Sequence, residues 1–189
     1  MTGPADGEPP TLYEWAGGRV AVAALIDAFY DRVEVDDLLP PLFPGGVSAE
    51  HRANVTTWWC EVFGDPADYT ETLGGYERML AKHRNLAITP DQRFRFASLM
   101  SLAADDAGLP ADPEFRSAPV AYLEWGTRIA MHNSRPGAEV VEHAPLPRWG
   151  WGVAPPYNPS PRGGQPRSAG RATAPALQTR RKMWTGSSS

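Results

Sequence analysis

Residues 19–35 read RVAVAALIDAFYDRVEV. Within them Val22, Ile26, Phe29, Tyr30 and Val33 recur at steps of three and four. That period places them on one side of a helix, not on one face of a strand. Gly17-Gly18 stands just before this helix and separates it from a shorter one around Leu12–Trp15. Pro40-Pro41 and Pro44-Gly45-Gly46 then break the chain.

The same period continues outward. Ser48 is placed to cap a helix running to about Phe63, along which His51, Val55, Trp58 and Val62 repeat at 4, 3 and 4. Gly64-Asp65-Pro66 opens a polar stretch, and Gly74-Gly75 leads into a short helix with Tyr76, Met79, Leu80 and His83 on one face. Thr89-Pro90-Asp91-Gln92 combines an N-cap, proline at the first helical position and the glutamine of a capping box. Phe96, Leu99, Met100, Ala103 and Ala104 form the apolar side of the helix it starts, which Gly108 can end. Asp112-Pro113-Glu114 opens a last helix through Phe115, Ala118, Tyr122, Trp125 and Ile129 to Arg135-Pro136-Gly137. Pro119 lies beyond its first turn and is expected to kink it or remove a hydrogen bond. Strand signals are scarce, so the expected class is all-α.

Composition bounds the rest. The chain has 189 residues, 42% of them apolar and 21% charged, with a net charge of -4. That balance argues against a dedicated nucleic-acid binder. One cysteine, Cys60, rules out an internal disulfide, a cysteine zinc site, an iron–sulfur cluster and a C-x-x-C-H haem attachment. With no adjacent base it reads as a small buried residue. The start, Met1 to Asp6, has neither the basic region nor the apolar stretch of a signal peptide, and Val20 to Ile26 is too short to span a bilayer. A cytoplasmic protein away from membranes is the expectation. Residues 144–189 contain 8 Pro, 6 Gly and no acidic residue, and Trp149, Trp151, Tyr157 and Trp184 stand isolated among them. Such a stretch cannot bury enough surface to offset its ordering entropy. Three regions follow: a flexible 1–9, a folded 10–137, and a disordered basic tail over 138–189.

Two histidines stand out because each lies on the apolar side of a helix. His83 is surrounded in sequence by Lys82, Arg84 and Asn85, so a solvated position was easily available to it. A single buried histidine is most often a core residue with one hydrogen bond. Two facing one core are also what a haem iron needs, a neutral imidazole with a second polar group nearby. No His-Glu-x-x-His spacing, carboxylate cluster, nucleophile elbow or phosphate-binding loop is present. Tyr30 lies on the apolar side of its helix, so its hydroxyl needs a buried partner, either a backbone carbonyl or a site group. Phe43, between Leu42 and Pro44, reads equally as a loop anchor.

The series Gly17-Gly18, Phe29-Tyr30, Phe43-Pro44, Phe63-Gly64-Asp65-Pro66, Tyr69, Gly74, His83 and Ile88 resembles the group II truncated haemoglobins in order and separation, over about residues 11–136. The resemblance implies a truncated globin fold, two helices packed over two, around non-covalent haem b. It implies His83 as the iron ligand and Tyr30, with His51, as the distal groups facing a bound gas. Phe43, Val55, Tyr76, Met79 and Phe96 are then the cofactor contacts. Phe96, 13 residues after His83, stands where this group typically carries a tryptophan donor. The implied activity is binding of O2 or another diatomic ligand at ferrous iron, with oxygen transport as one use. NO dioxygenase or peroxidase chemistry on the same scaffold would need an electron donor such as a reductase. A haem-free helical module, acting through its basic tail, is the remaining alternative.

Overall fold

A computed structural model describes residues 9–139 and 144–152. Seven α-helices and one 3-10 turn occupy them, and no strand occurs among the described residues. Helix α1 (Leu12–Ala16) starts at Thr11, whose hydroxyl accepts from the Glu14 amide at 3.1 Å while the Glu14 carboxylate accepts from the Thr11 amide at 2.9 Å. This reciprocal box lets a helix of only five residues begin cleanly. Gly17 ends it with φ of 107°, a left-handed conformation that glycine alone adopts cheaply. Helix α2 (Gly18–Glu34) follows, then a 3-10 turn at Pro40–Leu42, α3 (Ala49–Val62), α4 (Asp68–Leu73), α5 (Gly75–His83), α6 (Pro90–Asp106) and α7 (Pro113–Asn133).

The long helices obey their sequence signals. Ser48, Thr89 and Asp112 each cap a helix by accepting from the amide three residues on. Helix α7 runs through Pro119 without interruption. Lacking an N–H, Pro119 forgoes its bond to the Phe115 carbonyl, and the turns on either side carry the helix past it. Helix α2 packs on α3 and on α6, and α6 packs on α7, giving two layers of two helices. Leu12, Ile26, Phe29, Val33, Val62, Phe63 and Phe115 are fully buried between them.

Two features depart from the sequence reading. The polar stretch after Gly64 contains α4, anchored by the buried Glu61 carboxylate, which accepts from the Thr70 amide at 2.9 Å and from its hydroxyl at 2.6 Å. Tyr69 is buried against Trp58, ring centroids 5.1 Å apart. A six-residue helix with one buried side chain carries no period to read.

The second departure is a correction. The folded unit does not stop at Gly137, because residues 144–152 return as a strap across the helices. The Trp149 amide donates to the Val62 carbonyl at 2.7 Å, and Arg148 donates to the Asp65 carbonyl at 2.9 Å. The Trp149 ring packs on Tyr122 and Trp125 at 5.7 and 5.8 Å. The Trp151 indole N–H donates to the Pro10 carbonyl at 2.6 Å, and its ring meets Trp15 edge-on at 5.6 Å. Discrete aromatic anchors, with no repeat, order this segment. The expected loose residues 1–9, apart from Pro9, lie outside the described residues. So does the tail from 153 on, Tyr157 and Trp184 included.

Candidate functional site

One cavity of about 500 Å3 opens between α2, α3, α5, α6 and α7. Tyr30, Phe43, His51, Val55, Tyr76, Met79, His83 and Phe96 all line it. The fold therefore brings together all eight of these candidate site residues, from four helices and one loop.

His83 is the last residue of α5, and its position follows from helix geometry. Its Nδ1–H donates to the Met79 carbonyl four residues earlier, at 2.9 Å, a side-chain bond within the last turn of its own helix. This bond fixes the tautomer and leaves the Nε2 lone pair as the ring's free basic atom. Burial pushes the His83 pKa down, the Met79 carbonyl pulls it partly back, and Lys82 lowers it further. The net direction favours the neutral imidazole, the form that coordinates a metal.

A second wall is built from α2, α3 and the turn between them. The Tyr30 hydroxyl and His51 Nε2 are 2.8 Å apart, and the His51 tautomer sets which of them donates. Their rings meet nearly edge-on at 5.2 Å, and Phe43 closes the triangle at 5.6 Å from Tyr30 and 5.9 Å from His51. The Arg52 guanidinium lies 5.7 Å from the Tyr30 ring and is itself held by Asp31 at 2.9 Å. Burial raises the Tyr30 pKa strongly against the opposing pull of Arg52, so the phenol stays protonated. Burial, then the charges of Lys82 and His83, lower the His51 pKa. Both groups are thus neutral at neutral pH, and the pair can offer a polar hydrogen without carrying charge. The loop bearing Phe43 is pinned by Asp36, which accepts from the Leu38 and Leu39 amides at 2.9 and 3.1 Å.

Several lining residues carried no site signal in the sequence. Trp58 donates its indole N–H to the Tyr122 hydroxyl at 2.7 Å, and both line the cavity. Trp125 and Lys82 line it too. Arg93 lines it with a side chain 3% exposed, donating to Glu124 at 2.7 Å and Thr127 at 3.3 Å. Trp58 follows Val55 by one helical step on the same side, the one hint available. Tyr122 and Trp125 look in sequence like any core-facing residues of α7. Among the described residues no group of three or more His, Cys, Asp or Glu converges to hold a metal.

Residues 11–128 match the family of bacterial-like globins. The chain belongs to that family. As a globin it is a haem protein, and a haem-free module is set aside. The globin is 30% identical over 117 residues to the group 2 truncated hemoglobin YjbI of Bacillus subtilis (strain 168), covering 62% of this chain and 86% of that protein. Among solved structures, the hemoglobin of Chloroflexus aurantiacus matches with a TM-score of 0.58 at 31% identity, over 65% of this chain and 98% of that one. The group II truncated hemoglobin of Bacillus anthracis matches with a TM-score of 0.60 at 26% identity, over 70% and 99%. The two-over-two sandwich is the fold these globins share.

The residues present fit the cofactor. The cavity volume lies within the range of about 300–1,000 Å3 usual for small-molecule and cofactor sites. Its walls are mostly apolar, as a porphyrin face requires, and the tautomer-locked His83 leaves one ring nitrogen free, of the kind that could ligate an iron.

Proposed function

We propose that this globin holds haem b in the cavity through His83 Nε2 and uses it to bind O2 or another diatomic gas in the cytoplasm, as an oxygen carrier. Ferrous haem supplies the gas-binding iron. The observation that carries the assignment is the Nδ1–H bond of His83 to Met79, because it orients the ring and commits the other nitrogen to ligation.

The chain's own residues do the rest. Phe43, Val55, Tyr76, Met79 and Phe96 contact the cofactor and keep water out. Tyr30 and His51 face the gas with polar hydrogens, which favour a ligand bearing partial negative charge, such as O2, over one bearing less, such as CO. Phe96 brings no donor, so discrimination rests on this pair. A reductase that restores ferrous iron is the partner this reading calls for. The test is the absorption spectrum of the purified protein. A strong Soret band that shifts on adding CO or O2 is expected, and its absence from correctly folded protein supplied with haem excludes the assignment.

A further inference from the structure

Aromatic rings run without a gap from the cavity wall to the protein surface. Trp125 lines the cavity, and its ring centroid is 5.8 Å from that of Trp149, at an interplanar angle of 37°. Trp149 belongs to the strap, beyond the residues 11–128 that match the globin family, and is partly exposed.

We propose that Trp125 and Trp149 form a one-electron relay, an outlet through which oxidising equivalents generated in the cavity by a peroxide leave for the protein surface. The proposal rests on the haem assignment, since the one-electron chemistry is the cofactor's. Each hydrogen peroxide reduced to two waters takes up two electrons and two protons. Trp125 gives up one electron at a time and is refilled by Trp149. The oxidised Trp149 is in turn refilled by a soluble one-electron reductant such as ascorbate, which also releases the matching proton. Without a reductant, Trp149 loses two electrons by this route, adds water and becomes hydroxytryptophan. Its two electrons and two protons balance those the peroxide consumes.

The neighbouring rings explain why the route runs through Trp125. Tyr122 also touches Trp149, at 5.7 Å, but an oxidised phenol must shed its hydroxyl proton. Tyr122 is buried, its pKa is raised by that burial, and Trp58 donates to its oxygen instead of accepting from it. An indole can lose an electron while keeping its proton, and Trp125 is the cavity-lining indole whose ring packs on Trp149. Trp58 is buried with its N–H engaged, so a hole there has no exit to water.

The test treats the full-length haem-loaded protein with hydrogen peroxide in the absence of reductant and maps oxidised residues by peptide mass spectrometry. Hydroxytryptophan is expected at Trp149. It should be lost in Trp125→Phe, in which Trp149 is at least as exposed as before, and in haem-free protein given the same peroxide. In Trp149→Phe the oxidation should move to cavity residues such as Trp58 and Tyr76, and the Soret band should bleach faster. Ascorbate should suppress the product in the wild type. Undiminished product in Trp125→Phe or in haem-free protein overturns the relay, as does an unmodified Trp149 in protein whose Soret band is present. A folded protein that never acquires a Soret band overturns the haem assignment instead, so the two failures are distinguishable.

Discussion

The two walls of the cavity are built on different plans. The His83 wall is local: one side chain at the end of α5, oriented by a bond to a carbonyl four residues earlier in the same helix. The Tyr30–His51 wall is assembled from α2, a proline-broken turn and α3, with three rings within 6 Å of one another and Arg52 over one of them. Holding a metal requires one lone pair with a defined direction, and a helix end provides that. Discriminating among small gases requires several groups fixed relative to one another, and only tertiary packing provides that. The local wall is correspondingly less braced. Asn85 and Ala87, just beyond His83, adopt left-handed φ values of 63° and 50°. The link is tied down by Ser134, whose carbonyl accepts from the Ala87 amide at 3.0 Å and whose hydroxyl accepts from the Ile88 amide at 2.9 Å.

The largest effect should come from the local wall. His83→Ala is expected to purify with little haem and a lowered thermal midpoint, because bound cofactor stabilises the fold by mass action. Added imidazole should restore the Soret band by occupying the vacated space. A variant that keeps full haem and an unchanged spectrum would show that another residue ligates the iron.

Next comes the strap, which bonds to the end of α3 and packs on the cavity-lining rings of α7. A chain ending at Glu142 is expected to lose about 2–4 kcal/mol of stability, the contribution of two half-buried indoles and their hydrogen bonds. It should also release haem faster, since Tyr122 and Trp125 lose their support. Urea unfolding and haem transfer to an apo-globin acceptor measure the two, and unchanged values would mean the strap is dispensable.

The assembled wall should show itself in kinetics. Tyr30→Phe removes a hydrogen bond to a partly charged ligand, worth roughly 1.5–3 kcal/mol in a dry site. O2 dissociation should therefore quicken about ten- to a hundredfold. CO dissociation should change much less, His51→Leu should act in the same sense more weakly, and Phe96→Trp should slow O2 release. Stopped-flow displacement compares the four proteins, and equal O2 rates in wild type and Tyr30→Phe would place the hydroxyl elsewhere.

Two smaller effects sharpen the contrast. Ala87→Gly should stabilise the local wall by less than about 1 kcal/mol, since relief of left-handed backbone outweighs the added chain entropy; a lower thermal midpoint would show the Cβ makes a needed contact. Asp36 serves the assembled wall. Burial alone would raise its pKa, but the Leu38 and Leu39 amides and Arg95 outweigh that and leave it below its ordinary value of 3.8. A depressed folded pKa gives stability that is complete above about pH 4 and is lost as the pH falls through the folded value. Asp36→Asn keeps an acceptor for the amides but not the charge. Its deficit in stability should therefore be present at pH 7 and shrink in acid, and a pH-independent difference would refute the electrostatic account.

Where the sequence spoke clearly, it did so through repeated or reciprocal signals. Thr89-Pro90-Asp91-Gln92 announces α6 because each residue satisfies a different need of a helix start. His83 was legible because a histidine among Lys82, Arg84 and Asn85 on an apolar face is anomalous. Helix α4 was not, since its anchor, Glu61, stands nine residues before Thr70, in α3, and looks like an ordinary surface charge. The period of three and four places Trp58, Tyr122 and Trp125 on the inward faces of their helices, but periodicity cannot tell a face that meets a core from one that meets a cavity. The strap has no sequence signature because Trp149 and Trp151 act as single anchors at sites created only when the helices have already packed.

That last condition imposes an order in time. The bond from Trp151 to Pro10 joins residues 141 apart in the chain. Contacts of such sequence separation are slow to form, and a growing chain folds behind the ribosome from its N-terminal side. When His83 and the helices around it are free to assemble, residues 144–152 are still being made or are inside the exit tunnel. Cofactor loading can thus precede docking of the strap, which closes over a globin already filled.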